Sequence, residues 1–300
     1  MNHLEAHTAD NGRSGQEQSA PGLMFSVLMS VYRGENPAFL DAALWSLRAS
    51  TVELPEVVLV EDGPLPDTLH DVIRHHEAAL KFRRVPLAQN VGLGLALTEG
   101  LKQCRYGWIA RFDTDDLIVA DRFARQLELI MSAPEIDLTG GWIWEFETDP
   151  GSDEGRLRRV PESHAAILAY AKRRNPFNHM TVMFRRDLAL SLGGYRNEHL
   201  YEDYALWVRM IQAGARTANL PVVLVNARAG AGMYARRGGF AYVAGECRAQ
   251  WAFYRSGFIG LFRLALNLAS RLPVRILPDR SRQFLYERIL RVGKGHSHSK

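Results

Sequence analysis

Short apolar runs alternate with helical segments along the first half of the sequence. Four runs rich in β-branched and aromatic residues predict buried strands, at 23–31, 56–60, 82–87 and 108–112. Segments with apolar residues at helical spacing follow these runs, at 37–48, 68–80, 93–104 and 121–131. Strands that alternate with helices predict an α/β fold with a mostly parallel sheet, flanking helices and right-handed crossovers.

The second half is less regular, and its end has a different composition. Strands are predicted at 138–146, 180–184 and 222–225, and helices at 162–172, 186–192 and 204–212. From residue 248 onward, 11 Lys or Arg residues and 2 acidic residues occur among many leucines and aromatics. We expect Pro273 and Pro278 to divide this tail into two helices. The predicted parts are a disordered tail at 1–22, an α/β domain at 23–240 and a basic amphipathic helical extension at 241–300.

Composition excludes several classes of protein. The 300 residues are 47% hydrophobic and 23% charged, which is typical of a globular protein rather than a disordered or fibrous one. With two cysteines, Cys104 and Cys247, a disulfide scaffold and a cysteine-based zinc site are excluded. The net charge of +4 comes with 32 Arg against 5 Lys, and guanidinium groups suit phosphate and carboxylate. A polyphosphate ligand or an anionic membrane surface is therefore expected, and no nucleic acid, because no nucleic-acid-binding motif occurs.

The basic tail has two interpretations. Its helices could lie on an anionic membrane leaflet. They could equally pack on the main domain or on a second subunit. Residues 1–20 lack the apolar core of a signal peptide, and no stretch has the length of a transmembrane helix. We therefore expect a cytoplasmic protein, with an anionic membrane leaflet as its docking surface in the first interpretation.

Polar residues follow the predicted strands at the point where each strand ends. Tyr32 follows the first strand, Glu61 and Asp62 follow the second, and the segment 113–116 (DTDD) follows the fourth. Parallel sheets bind ligands beyond the carboxyl ends of their strands. The sequence therefore predicts a ligand site at these three breaks.

The acidic segment 113–116 could serve a metal ion. In an extended segment, Asp113 and Asp115 point to the same side, and their oxygens suit Mg²⁺ or Mn²⁺ shared with a diphosphate. The alternative is a helix cap with solvated loop acids, because a lone D-x-D pattern is common. Its place at a strand end favours the metal site.

Two other acidic pairs are open to a structural and a functional interpretation. Glu61-Asp62-Gly63 has good turn chemistry, although a carboxylate there can also accept hydrogen bonds from a nucleobase or a ribose. Glu202 and Asp203 precede the predicted helix 204–212, where an acid either caps the helix or acts as a general base.

His179 and the loop 236–239 carry the same ambiguity. A lone histidine either makes a structural hydrogen bond or binds a ligand. Arg236 and Arg237, followed by two glycines, either hold phosphate groups through paired hydrogen bonds or form a solvated charged loop.

A series of motifs in fixed order resembles a known family. The motifs are SVLMSVYRGENPAFLDAALWSL, VVLVEDGP, NVGLGLALTEGL, ARFDTDD, NPFNHMTVMFRR and GGYRNEHLYEDYALWVRMIQAG. They resemble the family 2 inverting glycosyltransferases of the GT-A fold, and are similar to bacterial exopolysaccharide, capsule and lipopolysaccharide enzymes of the amylovoran-biosynthesis type. The resemblance covers residues 25–239, and the order of the motifs is more specific than any one of them.

The resemblance implies roles for residues that bind the donor. Asp62 matches the acid that contacts the base of the sugar nucleotide, with Glu61 beside it, and Tyr32 lines the same pocket. Asn90 and Gly92 match a loop near the nucleotide.

The resemblance also implies the catalytic and metal-binding residues. Asp113 and Asp115 match the D-x-D motif, in which the last Asp ligates Mn²⁺ or Mg²⁺ and the first reaches the ribose or a metal-bound water. Asp203 matches the catalytic base of the E-D motif that begins at Glu202. Three residues match positions that face the diphosphate or the acceptor: His179, Arg236 and Arg237.

The implied activity is an inverting transfer of one sugar from a nucleoside diphosphate sugar to a glycan or lipid-linked saccharide. For the first interpretation of the basic tail, the resemblance implies an acceptor anchored on a polyprenyl diphosphate lipid, with the inner leaflet of a bacterial inner membrane as the docking surface. The Q-x-x-R-W motif and membrane helices of processive members do not occur in the sequence, which favours one sugar per turnover. One alternative is a nucleotidyltransferase acting on a sugar phosphate, for which YRGENP is a poor phosphate loop. Another is an inactive sugar-nucleotide-binding scaffold, which the intact acids disfavour.

Overall fold

The computed structural model describes residues 23–151, 155–198, 200–229 and 240–276, and within them nine strands form one sheet. In chain order the strands are β1 (Phe25–Tyr32), β2 (Glu56–Asp62), β3 (Phe82–Pro86), β4 (Trp108–Arg111), β5 (Leu117–Ile118), β6 (Ile136–Phe146), β7 (Arg156–Arg158), β8 (Met183–Arg185) and β9 (Arg216–Arg228). The helices are α1 (Pro37–Arg48), α2 (Asp67–Leu80), α3 (Leu93–Gln103), α4 (Arg122–Ser132), α5 (His164–Ala171), α6 (Arg186–Ser191), α7 (Glu202–Gln212), α8 (Phe240–Arg255) and α9 (Leu261–Ile276).

The sheet has a parallel half and a mixed half. Its strand order is β3-β2-β1-β4-β8-β6-β9-β5, and β7 pairs with β6. The first four strands along this order are parallel to their neighbours, and a helix connects each pair of them that is consecutive in the chain. Beyond β4, β8 runs antiparallel to both β4 and β6, whereas β6 and β9 are parallel. The predicted α/β architecture is confirmed.

The sheet is covered on both faces, because successive side chains of a strand point to opposite sides. On β1, Val27 and Met29 belong to an apolar layer with α1 and α2, and Leu28 belongs to a second layer with α3 and α7. Every residue of β2 is buried, as expected for a parallel strand inside a sheet.

Helix α3 packs closely on the sheet at Gly100. A β-carbon built at this glycine would lie 2.6 Å from Cδ1 of Leu28 and would also overlap Val60. The missing side chain therefore allows the close approach of α3, whose first residues lie near the carboxyl end of β2.

Helices α8 and α9 pack on α7. Their apolar contact is a cluster of buried side chains from both parts of the chain: Tyr201, Tyr204, Ala205, Val208, Phe253, Ile259 and Leu264. The described part of the tail therefore covers the main domain, as in the second interpretation of the sequence. Two details differ from the sequence prediction. Helix α8 lies in the predicted helical extension but was not predicted as a separate helix, and α9 continues through Pro273 to Ile276 instead of ending at the proline.

A buried carboxylate joins these three helices. Glu246 of α8 is fully buried and accepts hydrogen bonds from Oη of Tyr201 at 2.6 Å and from Nε2 of Gln250 at 3.0 Å. It also forms an ion pair with Arg271 of α9. Tyr201 is the residue directly before α7, so Glu246 connects the two C-terminal helices to the start of α7. Among the described residues, none of the helices is both long enough and apolar enough to cross a bilayer.

Candidate active site

The predicted site residues lie at the carboxyl edge of the parallel strands, in one group around Asp62 and a second group around Asp113. Tyr32 is the last residue of β1 and pairs in register with Asp62, the last residue of β2. Asp113 follows the end of β4, which is the other neighbour of β1. Both groups therefore lie where the sequence predicted a ligand site.

The first turn of α3 lies between the two groups. The backbone N–H of Gly92 donates to Oδ2 of Asp62 at 3.1 Å. Two residues later, a β-carbon built at Gly94 would lie 2.7 Å from Cγ of Glu202. The start of α3 thus contacts Asp62 on one side and the start of α7 on the other.

A row of charged side chains joins Asp113 to Asp203. Oδ1 of Asp113 forms an ion pair with Nη1 of Arg111, and Oδ2 lies 2.9 Å from Nε2 of His179. Nδ1 of His179 in turn lies 3.5 Å from Oδ2 of Asp203. Arg111 is buried, so its charge requires the nearby carboxylate. His179 therefore bridges the first acid of the D-x-D motif and the second acid of the E-D motif.

One oxygen of Asp203 has no hydrogen-bond partner in the described part of the chain. Oδ1 is buried and accepts no hydrogen bond from the described residues. A buried acceptor without a donor is unfavourable unless a ligand or a water supplies one. The Asp203 side chain as a whole is 15% exposed, so a hydroxyl group of a substrate can approach the carboxylate.

The rest of the DTDD segment is held by the end of β9. The backbone N–H of Arg228 donates to Oδ1 of Asp116 at 2.8 Å, and its Nε donates to the carbonyl of Asp115 at 3.2 Å. The Arg228 guanidinium packs on the ring of Phe39, 4.0 Å from its centroid. Burial, and then the charge of Asp115, raises the pKa of the Asp116 carboxyl to about 7.

Asp115 is the acid of this segment that fits a metal ion best. In the described part of the chain, no residue donates to its carboxylate, whereas both oxygens of Asp113 are engaged by Arg111 and His179. No cluster of three or more His, Cys, Asp or Glu suited to a metal occurs among the described residues. Mg²⁺ is often bound by only one or two carboxylates together with substrate phosphates, so a single free carboxylate fits an ion shared with a diphosphate.

Asp62 holds the loop that precedes α3. Besides Gly92, its carboxylate accepts from the backbone N–H of Val91 at 2.7 Å and from Nδ2 of Asn90 at 3.0 Å. Gly92 has φ of +88°, in the left-handed region that favours glycine. Asp62, Asn90 and Gly92 therefore form one hydrogen-bonded unit. Contact of Asp62 with a nucleobase stays a prediction. The acceptors for the base would be the carboxylate lone pairs that receive no hydrogen bond from the loop.

Two other predicted residues have distinct environments, and two are outside the described part of the chain. Glu61 is buried and accepts from Nε of Arg84 at 2.5 Å, and this hydrogen bond raises the pKa of the Arg84 guanidinium. The side chain of Tyr32 is 42% exposed and borders the site. Arg236 and Arg237 lie outside the described residues.

Sequence reasoning missed Arg111 and Arg228. Arg111 is the last residue of β4 and lies inside the quoted motif ARFDTDD, where its separation of two residues from Asp113 was the available signal. Arg228 is separated from Asp116 by 112 residues, and no local pattern links the two. Both residues fix the acidic segment in place.

Comparison with known proteins connects this site with sugar transfer. The sequence model described as Glycosyl transferase family 2 matches residues 26–190, more than half of the chain. The chain is 38% identical over 267 residues to the UDP-Gal:alpha-D-GlcNAc-diphosphoundecaprenol beta-1,3-galactosyltransferase of Escherichia coli, covering 89% of this chain and 96% of that protein. It is 42% identical over 269 residues to the amylovoran biosynthesis glycosyltransferase AmsE of Erwinia amylovora, covering 88% and 98%.

Solved structures with a similar fold are glycosyltransferases of the GT-A type. Staphylococcus aureus TarS 1–349 in complex with UDP-GlcNAc aligns with a TM-score of 0.59 and 17% identity, over 83% of this chain and 72% of the TarS 1–349 chain. The mannosyltransferase PcManGT from Pyrobaculum calidifontis, in complex with GDP-Man and Mn²⁺, aligns with a TM-score of 0.59 and 16% identity, over 90% and 81%. The predicted GT-A fold is confirmed.

Proposed function

The chain belongs to glycosyl transferase family 2, and we propose that it transfers one sugar, with inversion, from a nucleoside diphosphate sugar to a lipid-linked saccharide. Its relatives are bacterial glycosyltransferases, one of them named for amylovoran biosynthesis and one for a diphosphoundecaprenol-linked acceptor. The observation that carries the proposal is the buried Oδ1 of Asp203, which has no hydrogen-bond partner among the described residues while His179 faces the other oxygen.

Asp203 is the general base in this proposal. Its carboxylate accepts the proton of an acceptor hydroxyl, whose oxygen attacks the anomeric carbon on the face opposite the departing diphosphate. His179 holds Oδ2 of Asp203 so that the free oxygen keeps its direction. A single displacement of this kind inverts the anomeric configuration.

Asp115 is the residue that would hold a divalent cation, Mn²⁺ or Mg²⁺. Such an ion, when bound, would stabilise the negative charge that develops on the leaving diphosphate. The PcManGT complex with GDP-Man and Mn²⁺ supports this assignment by its similar fold. Asp113 has a different task, because its oxygens engage Arg111 and His179. It fixes the position of His179.

The nucleoside of the donor is proposed to bind at the ends of β1 and β2. Tyr32 offers an exposed ring there for stacking, next to the unit formed by Asp62, Asn90 and Gly92. Glu61, the residue before Asp62 on β2, is held in place by its ion pair with Arg84. The arrangement favours a flat base beside Tyr32 and hydrogen-bond donors directed at Asp62.

Helix α9 is proposed to dock the enzyme on the cytoplasmic leaflet of the inner membrane. Its outer side carries five exposed apolar residues, here called the α9 stripe: Leu261, Phe262, Ala265, Leu266 and Ala269. Phe262 is 77% exposed and Leu261 is 63% exposed. The helix contains no acidic residue, and the partly exposed Arg263 on it suits an anionic leaflet.

The decisive experiment is an assay with several sugar nucleotides and a lipid-linked saccharide, with and without Mn²⁺. We expect one donor to stabilise the protein against heat, because a ligand of the folded state raises its stability by mass action. We also expect a product longer by one sugar, of inverted anomeric configuration. Binding without transfer to any acceptor would contradict the proposal in favour of a scaffold. Release of pyrophosphate from a nucleoside triphosphate and a sugar phosphate would favour a nucleotidyltransferase.

A further inference from the structure

A cavity of about 300 Å³ lies between the start of α7 and helix α8. Tyr201 and Ala205 line it from the side of α7, and Arg248, Ala249, Ala252 and Phe253 line it from α8. It is distinct from the donor region, because Asp203 faces His179 whereas Tyr201 and Ala205 belong to the face of α7 that packs on α8.

The lining of this cavity suits an amphiphilic anion. Three alanines and the Phe253 ring make most of the surface apolar and leave room for a chain. Arg248 is exposed and makes no ion pair or hydrogen bond with the described residues. The acidic residue of the lining, Glu198, is already neutralised, since both of its oxygens accept from Nη1 of Arg209 at 2.9 Å. The uncompensated charge at the cavity is therefore positive.

The position of the cavity relates it to the acceptor. Tyr201 lies two residues before Asp203, within one turn of α7. A saccharide whose hydroxyl reaches Asp203 would have its anchoring group close to this turn. On the outside, Trp251 follows Arg248 by three residues, on the same face of α8, and is 54% exposed. The cavity therefore connects the vicinity of the proposed base with an exposed apolar surface.

We propose that this cavity binds the diphosphate and the first prenyl units of the lipid-linked acceptor. Arg248 pairs with the diphosphate, and the alanines and Phe253 contact the prenyl chain. The inference rests on the proposed function, and it assigns the acceptor a site separate from that of the donor diphosphate, which is expected at Asp115.

The first test is isothermal titration calorimetry, in which farnesyl diphosphate is titrated into the full chain. The Arg248→Gln variant should bind it about tenfold to hundredfold more weakly, because a hydrogen-bonded charge pair is lost. Ala252→Phe, at an exposed position on the rim, should weaken binding by filling the space for the chain. Arg255→Gln, an exposed arginine of the same helix outside the cavity lining, is the matched control and should bind as the wild type does.

Two further binding measurements distinguish a ligand bound in this cavity from one bound at the donor region. Asp115→Asn should leave farnesyl diphosphate binding unchanged, whereas loss of binding in that variant would place the ligand at the donor site and overturn the proposal. Farnesol should bind more weakly than farnesyl diphosphate, since it lacks the charge that Arg248 pairs with. Equal affinity of Arg248→Gln and the wild type for farnesyl diphosphate would also overturn it.

Kinetics distinguish failure of this inference from failure of the proposed function. With a diphosphate-lipid-linked saccharide, Arg248→Gln should raise the acceptor KM about tenfold or more and leave kcat and the donor KM nearly unchanged. Normal transfer by Arg248→Gln at an unchanged acceptor KM would reject the cavity and keep the glycosyltransferase. Absence of transfer by the wild type, with farnesyl diphosphate still bound through Arg248, would reject the proposed function and keep the cavity.

Discussion

Nδ1 of His179 lies 3.5 Å from Oδ2 of Asp203, and the second oxygen of Asp203 is buried without a partner among the described residues. The ring therefore faces one oxygen of the carboxylate, and the Asp203 side chain as a whole is 15% exposed. Since Nε2 of the same ring contacts Asp113, the orientation of the proposed base depends on the acidic segment after β4. The ring of His179 therefore connects the proposed base, Asp203, with Asp113 in the acidic segment.

Replacement of Asp203 by Asn should lower kcat about a hundredfold to ten-thousandfold, because the amide cannot accept the proton of the acceptor. Affinity for the sugar nucleotide should change little, since Asp203 acts on the acceptor. Steady-state kinetics and donor titration measure the two effects. A kcat equal to that of the wild type would remove Asp203 from the role of base.

His179→Ala should lower kcat about 10- to 100-fold by releasing Asp203 from its orientation. His179→Gln should retain more activity, because its amide can still hydrogen-bond to a carboxylate. Comparison of kcat and both KM values for the two variants checks this. If only the donor KM rises, His179 contacts the donor directly and does not orient the base.

Asp113 and Asp115 should respond differently to substitution. Asp113→Ala leaves the buried Arg111 without its carboxylate, and should lower the free energy of unfolding by about 3 kcal/mol or more. Asp115→Asn should leave the free energy of unfolding nearly unchanged and abolish the dependence of donor binding on Mn²⁺. Urea unfolding and donor titration at varied Mn²⁺ separate these outcomes. Mn²⁺ dependence that survives in Asp115→Asn but not in Asp113→Asn would reverse the assignment.

Glu246→Leu should lower the free energy of unfolding by about 3 kcal/mol or more, because Arg271 and Tyr201 lose a buried partner. It should also lower kcat, since Tyr201 directly precedes the helix that carries Asp203. Urea unfolding and kinetics measure both quantities. Glu128→Gln, at an exposed position of α4, is the control and should change neither.

Replacing Leu261 and Phe262 together by Ser should weaken binding to anionic vesicles at least about tenfold, because each apolar side chain contributes roughly 1.5–3 kcal/mol when fully buried. Both side chains are exposed in the fold, so thermal stability should hardly change. Sedimentation with vesicles is the measurement. Met131→Ser, which removes an exposed apolar side chain from α4, is the control. Equal sedimentation of all variants would contradict docking through the α9 stripe.

The parallel half of the fold could be predicted because its strands are short, apolar and bounded by polar turns. Strand β9 was harder to predict, since it spans 13 residues where the sequence predicted 222–225. Pro221 and several polar residues interrupt its pattern. The pairing of β9 with β6 shifts register next to Pro221, between Leu220 and Val223, and such an irregularity accommodates a residue without an N–H group.

The acids of the site could be predicted, but most of their partners could not. Asp113, Asp115 and Asp203 stand in recognisable local patterns. By contrast, the contact of His179 with Asp113 spans 66 residues, and that of Arg228 with Asp116 spans 112. Such pairings depend on tertiary packing, which no local periodicity encodes. Helix α8 was predicted only as part of a helical extension and not by its own bounds, because its buried face includes the polar residues Glu246 and Gln250.

The bond between Tyr201 and Glu246 affects how shortened versions of this enzyme should be designed. A variant without the C-terminal helices would lose the surface proposed to dock on lipid. It would also lack Glu246, the hydrogen-bond partner of Tyr201, which directly precedes the E-D motif. A truncated enzyme would therefore combine impaired chemistry with altered partitioning. Substitutions on the outer side of α9 are the way to remove the proposed docking on lipid while the bond between Tyr201 and Glu246 is kept.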